Sequence, residues 1–361
     1  VKWVLRGAIG LAVLALLAFV GLKLFQARIG KQVFERMAER LVGADQTVSL
    51  EDGLHVYFCG TGSPLPDPAR AGPCIGVLAG ETALVFDTGS GSLRKLAGMG
   101  FPVGETDHVF LTHLHSDHID GLGEMMLQAW IGGSRRVPVG ISGPEGTEAV
   151  VDGFLQAYRA DAGYRTAHHG AAIASPAGFG AVATEIDLAA GGATGVVYEE
   201  RGVRVLAFGV DHSPVSPAFG YRIDYKGRSV VISGDTVKSE AVIEAARGSD
   251  LLIHEALNRE MVAVMSDAAA ANGNAALSTV FADILDYHAS PVEAAETAEA
   301  AGAGELVLTH IVPPLPSRFL YPAFLTGVDE AYEGPATIGE DGLMISMPAQ
   351  SERTTHNNLL E

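Results

Sequence analysis

The sequence predicts an α/β sandwich. Short runs rich in Val, Ile, Phe and Tyr alternate with helical segments, and several runs follow one another as hairpins through Gly-containing turns. At 361 residues, 48% of them hydrophobic, the chain is long enough to bury one large core. With 19% charged residues and only 2 cysteines, it is neither a disordered chain nor a disulfide-stapled miniprotein.

The first element stands apart from the sandwich. From Gly7 to Leu22 there is no charge, and Leu24 and Phe25 extend the apolar run. Its length approaches the roughly 17–25 residues that span a bilayer. No clear small-x-small cleavage site follows, so an uncleaved transmembrane helix is expected rather than a signal peptide. Residues 26–43 have helical spacing, with Val33, Met37 and Leu41 along one side. They read either as a juxtamembrane helix or as a first helix packed on the domain. The expected division is 1–43, an anchor with its juxtamembrane helix, and 44–361, a single catalytic domain.

Basic residues lie on both sides of the apolar run, Lys2 and Arg6 before it and Lys23, Arg28 and Lys31 after it. This count slightly favours a cytoplasmic body. Cys59 and Cys74 argue the other way. They flank a Gly- and Pro-rich segment between two strand-like runs, and they read either as a bridge or as two buried thiols. A bridge suits an oxidising compartment, so a periplasmic or extracellular catalytic domain is expected.

The strands come next: 55–58, 74–80, 83–89 and 108–113, then the hairpin-like stretches 196–210 and 219–235, then 251–255 and 306–310. An Ala/Glu-rich helix precedes the last of them. The tail beyond Pro348 is polar and is expected to fray. The segment 152–170 carries Tyr158, Arg159, Tyr164, Arg165, His168 and His169. It reads either as a lid that grips an anion or as a surface helix.

Four potential metal ligands fall within six residues after the strand at 108–113: His113, His115, Asp117 and His118. In an extended strand end, residues two apart point the same way, so His113 and His115 can converge on one ion. Asp117 and His118 come round the turn toward a second. Further candidates sit at other strand ends: His212, Asp235 and His310. Imidazole and carboxylate donors suit borderline divalent ions such as zinc.

The chain resembles metallo-β-lactamase-fold hydrolases, and within them the ribonuclease Z and arylsulfatase-like branch. The resemblance rests on GTGSP at 60–64, LVFDTG at 84–89, HLHSDH at 113–118, His212, SGDT at 233–236, HEA at 254–256, His288 and LTH at 308–310. It implies a four-layer αβ/βα sandwich with two divalent metal ions at one edge. His113, His115 and His212 would hold the first ion. Asp117, His118 and His310 would hold the second, and Asp235 would bridge them. Zinc is the expected ion, with manganese and iron compatible. A water between the ions would be acidified to a bridging hydroxide near neutral pH. Asp87 would orient a ligand or simply form a turn. Asp117, Glu255 and His288 are the candidates for direct catalytic roles. Glu255 would hold His288, which would protonate the leaving group.

Acidic residues outnumber basic ones 43 to 24, for a net charge of −19. Phosphate-binding surfaces carry the opposite sign, so nucleic acid is not an expected partner. HEA continues with Leu257 in place of the threonine usual in ribonuclease Z, and LTH is followed by IVPPLPSR. The expected substrate is a small anionic ester, either a phosphodiester or an aryl sulfate. Lactone or β-lactam hydrolysis is the alternative, and tRNA 3′ processing ranks last. The other expected partner is the membrane, with a homodimer left open.

Overall fold

The computed structural model describes residues 2–188 and 194–360. The chain divides into two compact units, Val1–Ser49 and Leu50–Glu361. The first contains one helix, α1, Lys2–Leu41. No break separates the apolar run from the charged residues that follow. Gln26, Arg28, Lys31, Glu35 and Met37 are good helix formers, and the isolated Gly30 is too weak a breaker to stop them. Lys31 and Glu35 pair one turn apart. Large side chains such as Trp3, Leu11, Leu14 and Phe25 are exposed. By length and composition α1 can cross a membrane, and a signal sequence meets the same test.

Among the described residues, the second unit holds two sheets. One has eight strands. They are β1 (Gly53–Gly60), β2 (Cys74–Ala79), β3 (Thr82–Phe86), β4 (His108–Phe110), β5 (Val139–Gly143), β6 (Ala181–Glu185), and from the C-terminal region β14 (Leu343–Pro348) and β15 (Thr355–Asn358). Their order is β15-β14-β1-β2-β3-β4-β5-β6, antiparallel through β3 and parallel beyond it. The other sheet has seven strands, β7 (Thr194–Glu200), β8 (Val203–Gly209), β9 (Phe219–Tyr225), β10 (Arg228–Ile232), β11 (Leu251–Leu257), β12 (Leu306–Val312) and β13 (Ala336–Ile338). Their order is β13-β12-β11-β10-β9-β8-β7.

The inner faces meet in one apolar layer. Leu54, Val56, Phe58, Leu84 and Phe86 of the first sheet join Val205, Tyr221, Ile223, Val230 and Ile253 of the second. Burying such side chains is the main driving force for the assembly. Helices cover the outer faces. On the eight-stranded sheet these are α2 (Ser92–Gly98), α4 (Leu122–Gly132) and α5 (Thr147–His169), with the short α3 (Ser116–Ile119) between. On the seven-stranded sheet they are α6 (Glu240–Ala246) and α9 (Pro291–Ala301). A pair of helices, α7 (Arg259–Ala271) and α8 (Ala275–Asp283), packs over the ends of β11 and β12. The layers therefore run helix, sheet, sheet, helix.

Cys59 and Cys74 are bonded across the β1–β2 pair. The tail does not fray as expected. β15 adds to the edge of the sheet, and buried Arg228 donates to the carbonyl of Ser351 and to Thr354. Polar composition hid this strand because it lies on an exposed edge, where backbone pairing rather than apolar burial fixes it. The segment 152–170 is part of α5. Its Val151 and Phe154 pack with Leu114 and Ile119, Tyr158 lies against Gly123, and Arg165 is paired with Asp161 of its own helix.

His108 links the two sheets from β4. Its Nε2 lies 2.8 Å from Ser142 Oγ, and its ring packs on Phe110 and Tyr198. Burial pushes its pKa down to about 4, against a small opposing pull from Asp107. The folded chain therefore refuses a proton that the unfolded chain accepts near pH 6.5. Stability from neutral His108 is complete above that pH and is lost as pH falls toward 4. Chemical denaturation of His108→Gln should show a stability curve flatter than wild type over this window, by up to about 1.4 kcal/mol per pH unit. Parallel curves would mean that His108 does not titrate differently on folding.

Candidate metal centre

The sequence-predicted ligands converge at one rim of the sandwich, beyond the ends of β4, β8 and β10 and at a bulge within β12. In parallel sheets the strand carboxyl ends collect functional side chains this way. β4 ends at Phe110, and the chain runs through Thr112 to His113, His115, Asp117 and His118. α3 begins at Ser116 and turns Asp117 and His118 back toward the rim. Gly89 makes this possible by close approach. A β-carbon there would overlap Gly72 and the carbonyl oxygen of Asp117.

His212 follows β8, and Asp235 follows β10. His310 lies within β12, opposite a register shift between Glu255 and Ala256 of β11. Its φ is +47°, a left-handed conformation that a non-glycine residue rarely adopts. A bulge of this kind re-aims one side chain out of the pleat.

Asp235 Oδ2 lies at the centre. It is 3.3 Å from His310 Nε2, 3.4 Å from His118 Nε2, 3.8 Å from His113 Nε2 and 3.9 Å from His212 Nε2. His113 Nε2 is 2.9 Å from His115 Nδ1, and His212 Nε2 is 3.4 Å from the same atom. Asp117 Oδ2 is 3.5 Å from His118 Nε2 and 3.4 Å from His310 Nε2. Two donor groups result: His113, His115, His212 and Asp235 in one, and Asp117, His118 and His310 in the other. A further grouping joins Asp235, His288 and His310. All seven expected ligands are thus brought together.

The outward-facing nitrogens of His113, His118 and His212 are engaged, whereas Nδ1 of His310 is buried without a hydrogen-bond partner. His118 Nδ1 lies 2.8 Å from Asp87 Oδ2, and His212 Nδ1 donates to the carbonyl of Tyr287 at 3.0 Å. His113 Nδ1 is 3.1 Å from Thr112 Oγ1, which donates to Asp87 Oδ2 at 2.8 Å. This network assigns the tautomers and turns the Nε2 lone pairs inward, as metal ligation requires. Asp87 has φ +55° and also accepts from Thr112 N at 2.8 Å. It therefore orients His118 directly and His113 through Thr112. His118 Nε2 is buried with no hydrogen-bond partner, which is what a ligand nitrogen looks like without its ion.

The electrostatics fit cations. Burial alone would lower the His118 pKa, but Asp235, Asp87 and Asp117 raise it well above its ordinary value. Burial alone would raise Asp235, but His310 and His118 hold it well below the usual carboxylate range. Burial lowers His113, His115 and His212, favouring their neutral, ligating forms.

Glu255 and His288 form a second pair beside the centre. Glu255 Oε1 lies 3.0 Å from His288 Nδ1 and accepts from the backbone of Ala289 at 3.0 Å and of Thr236 at 3.2 Å. Burial opposes protonation of His288, but the Glu255 charge and hydrogen bond raise its pKa to about 9. Its ring stacks 5.3 Å from that of His310. Sequence reasoning assigned nothing to Thr112, which relays Asp87 to His113, or to Tyr287. The one signal for Tyr287 was its position next to His288.

Asp87→Asn keeps the shape and tolerates the left-handed backbone. It removes the charge behind His118. Chelator competition should show metal affinity lowered roughly 10- to 100-fold. Unchanged affinity would leave Asp87 as a turn residue only.

Comparison with known proteins follows the same lines. Residues 82–311, more than half of the chain, match the family model described as "Beta-lactamase superfamily domain". Ribonuclease Z of Mycobacterium avium (strain 104) is 39% identical over 264 residues, covering 73% of this chain and 87% of that protein. Ribonuclease Z of Mycobacterium bovis (strain BCG / Pasteur 1173P2) is 38% identical over 265 residues, with the same coverage. Human short-form tRNase Z superposes with a TM-score of 0.57 at 23% identity, over 81% of this chain and 99% of that one. The metallo-β-lactamase-fold protein YhfI of Bacillus subtilis gives 0.57 at 20% identity, over 82% and 100%. These relatives overturn the expectation of a small anionic ester as substrate and of no nucleic-acid partner. Both curated relatives bear the ribonuclease name, and neither is named an arylsulfatase. The inference from a charge of −19 failed because net charge sums the whole surface and says nothing of the face a substrate meets. The chain belongs to the metallo-β-lactamase superfamily, whose members here are metal-dependent hydrolases of phosphoester bonds.

Proposed function

We propose that the chain hydrolyses phosphodiester bonds in RNA at a two-zinc centre. The observation that carries this reading is the single carboxylate oxygen of Asp235 set among four imidazole nitrogens at 3.3–3.9 Å. The RNA substrate is supported by the relatives named ribonuclease Z, which match along 87% of their length. His113, His115 and His212 would hold the first ion, and Asp117, His118 and His310 the second, with Asp235 between them. Zinc is supported by the imidazole-rich donor set. Bound there, two divalent cations supply an acidified water and charge stabilisation at the phosphoryl oxygens.

The chain's own residues do the rest. Glu255 accepts from His288 Nδ1 and stabilises the charged ring. The opposite edge of the ring can then give a proton to the leaving oxygen. Asp87 and the Tyr287 carbonyl fix the orientation of the ligands, so little reorganisation is needed when charge develops.

The division into an anchor over 1–43 and a catalytic domain over 44–361 is part of this reading. It is supported by the exposed apolar helix and by the solubility cost of leaving such a surface in water. The Cys59–Cys74 bond supports a catalytic domain on the oxidising side of the membrane. Acid quenching of intact cells followed by alkylation in denaturant reads this directly, because both cysteines are buried in the fold. Protected cysteines support that side, and reactive ones place the domain in the cytoplasm.

The test of activity uses the full chain in detergent, loaded with zinc. Its substrates are a precursor tRNA transcript, a single-stranded oligoribonucleotide and bis(p-nitrophenyl) phosphate. Cleavage of RNA with a free 3′-hydroxyl product supports the proposal. Turnover of the small diester with no RNA cleavage overturns the RNA substrate. His288→Ala should lower kcat by about 10²–10⁴-fold with metal content unchanged. Loss of metal in that variant would make His288 a ligand and end its role as acid.

A further inference from the structure

The loop between α8 and α9 is held at four of its carbonyls. Leu285 O accepts from Arg259 Nε at 3.0 Å, and His288 O accepts from Arg259 Nη2 at 2.9 Å. Tyr287 O accepts from His212 at 3.0 Å, and Ala289 O accepts from Leu257 N at 2.8 Å. Arg259 is itself fixed by Glu293 at 2.6 Å, and Glu293 closes the capping box of α9. Such a segment has little freedom left, and whatever it presents is presented rigidly.

It presents two side chains to the centre. One is His288. The other is Tyr287, whose ring centroid lies 4.6 Å from that of His288 and 4.8 Å from that of His212. The ring is half-buried against these imidazoles. Its hydroxyl has no hydrogen-bond partner among the described residues, and it lies within electrostatic reach of Asp235, Asp117 and Glu255. An unspent neutral donor therefore sits beside the ligand cluster, on a wall that cannot move away.

A phosphodiester entering this centre brings negative charge close to three carboxylates. Divalent cations, held by the ligand groups, would offset part of that repulsion. A neutral O–H beside the ligand cluster adds attraction and becomes more valuable as charge grows on the phosphoryl oxygens. We propose that Tyr287 is a further substrate-contacting residue, its hydroxyl donating a hydrogen bond to a non-bridging oxygen of the phosphoryl group. The proposal rests on the phosphodiesterase reading only for the identity of that group.

Side-chain variants test it cleanly, because the Tyr287 carbonyl keeps its bond to His212 whatever the side chain. The experiment uses the full-length zinc-loaded chain, with inorganic phosphate as the probe. Calorimetric titration compares wild type, Tyr287→Phe and Tyr287→Leu. The phenylalanine variant should bind phosphate at least about tenfold more weakly. Its kcat on bis(p-nitrophenyl) phosphate should fall about 10²-fold, with KM changed far less and metal content unchanged. The leucine variant should match it on phosphate, since both lack the hydroxyl. Wild-type phosphate affinity in Tyr287→Phe, or no phosphate binding by wild type, overturns the contact. Loss of zinc in Tyr287→Phe overturns it too, and makes the residue a support for the ligands. RNA cleavage separates the two readings. If phosphate binding depends on the hydroxyl but wild type cleaves no RNA, the contact stands and the RNA substrate falls. If both proteins cleave RNA and bind phosphate equally, the RNA substrate stands and the contact falls.

Discussion

Asp235 carries an ionised carboxylate into the interior at the line where the two sheets meet. Burying such a charge costs several kcal/mol unless opposite charge and hydrogen-bonding groups surround it. The surrounding groups come from both halves of the sandwich. His113 and His118 arrive from the eight-stranded sheet, and His212 and His310 from the seven-stranded one. The rim of the sandwich is therefore joined by the same electrostatics that make it a cation site. Two strained backbones serve it: Asp87 at φ +55° on one sheet and His310 at φ +47° on the other. Strain of this kind persists only where the neighbours over-determine it, and here Thr112, His118 and Asp235 are those neighbours.

The site was more legible in the sequence than the fold around it. Each ligand ends or interrupts an apolar run, so its position at a strand end could be read from local pattern alone. His113 to His118 are close in sequence, and their convergence needed no tertiary information. The convergence of His212, Asp235 and His310 upon them did, and only the motif resemblance connected those distant segments. Strands β5, β6 and β13–β15 were not legible. β6 and β15 are half- or fully exposed edges with no apolar alternation, and β13 is three residues long. The continuous α1 was read as two segments because hydropathy changes at Gln26 while helix propensity does not. Partner class was misread for a different reason. Charge composition is a property of the whole surface, and a metal centre supplies its own positive charge locally.

The loop carrying Tyr287 and His288 shows how far the supporting structure extends. Arg259 opens α7, and Glu293 lies in the first turn of α9. Between them the α7–α8 pair closes on a core of Leu257, Val262, Phe281 and Val312. This small core contains none of the candidate ligands. It sets the distance between the two ends of the loop, and so the place from which the His288 ring and the Tyr287 carbonyl meet the centre.

The pairing of β1 with β14 has a consequence for biogenesis. Gly53 lies opposite Pro348, and Tyr57 opposite Met344. The first strand of the sandwich thus waits for one of the last before its outer edge is satisfied. A ribosome adding residues one at a time leaves that edge open until residues 343–348 have emerged. Contacts this distant in sequence make folding slow, and an unpaired strand edge invites association with other chains in the interval. The order of synthesis therefore runs against the order of the sheet, and the nascent chain is vulnerable from the emergence of β1 until β14 follows it.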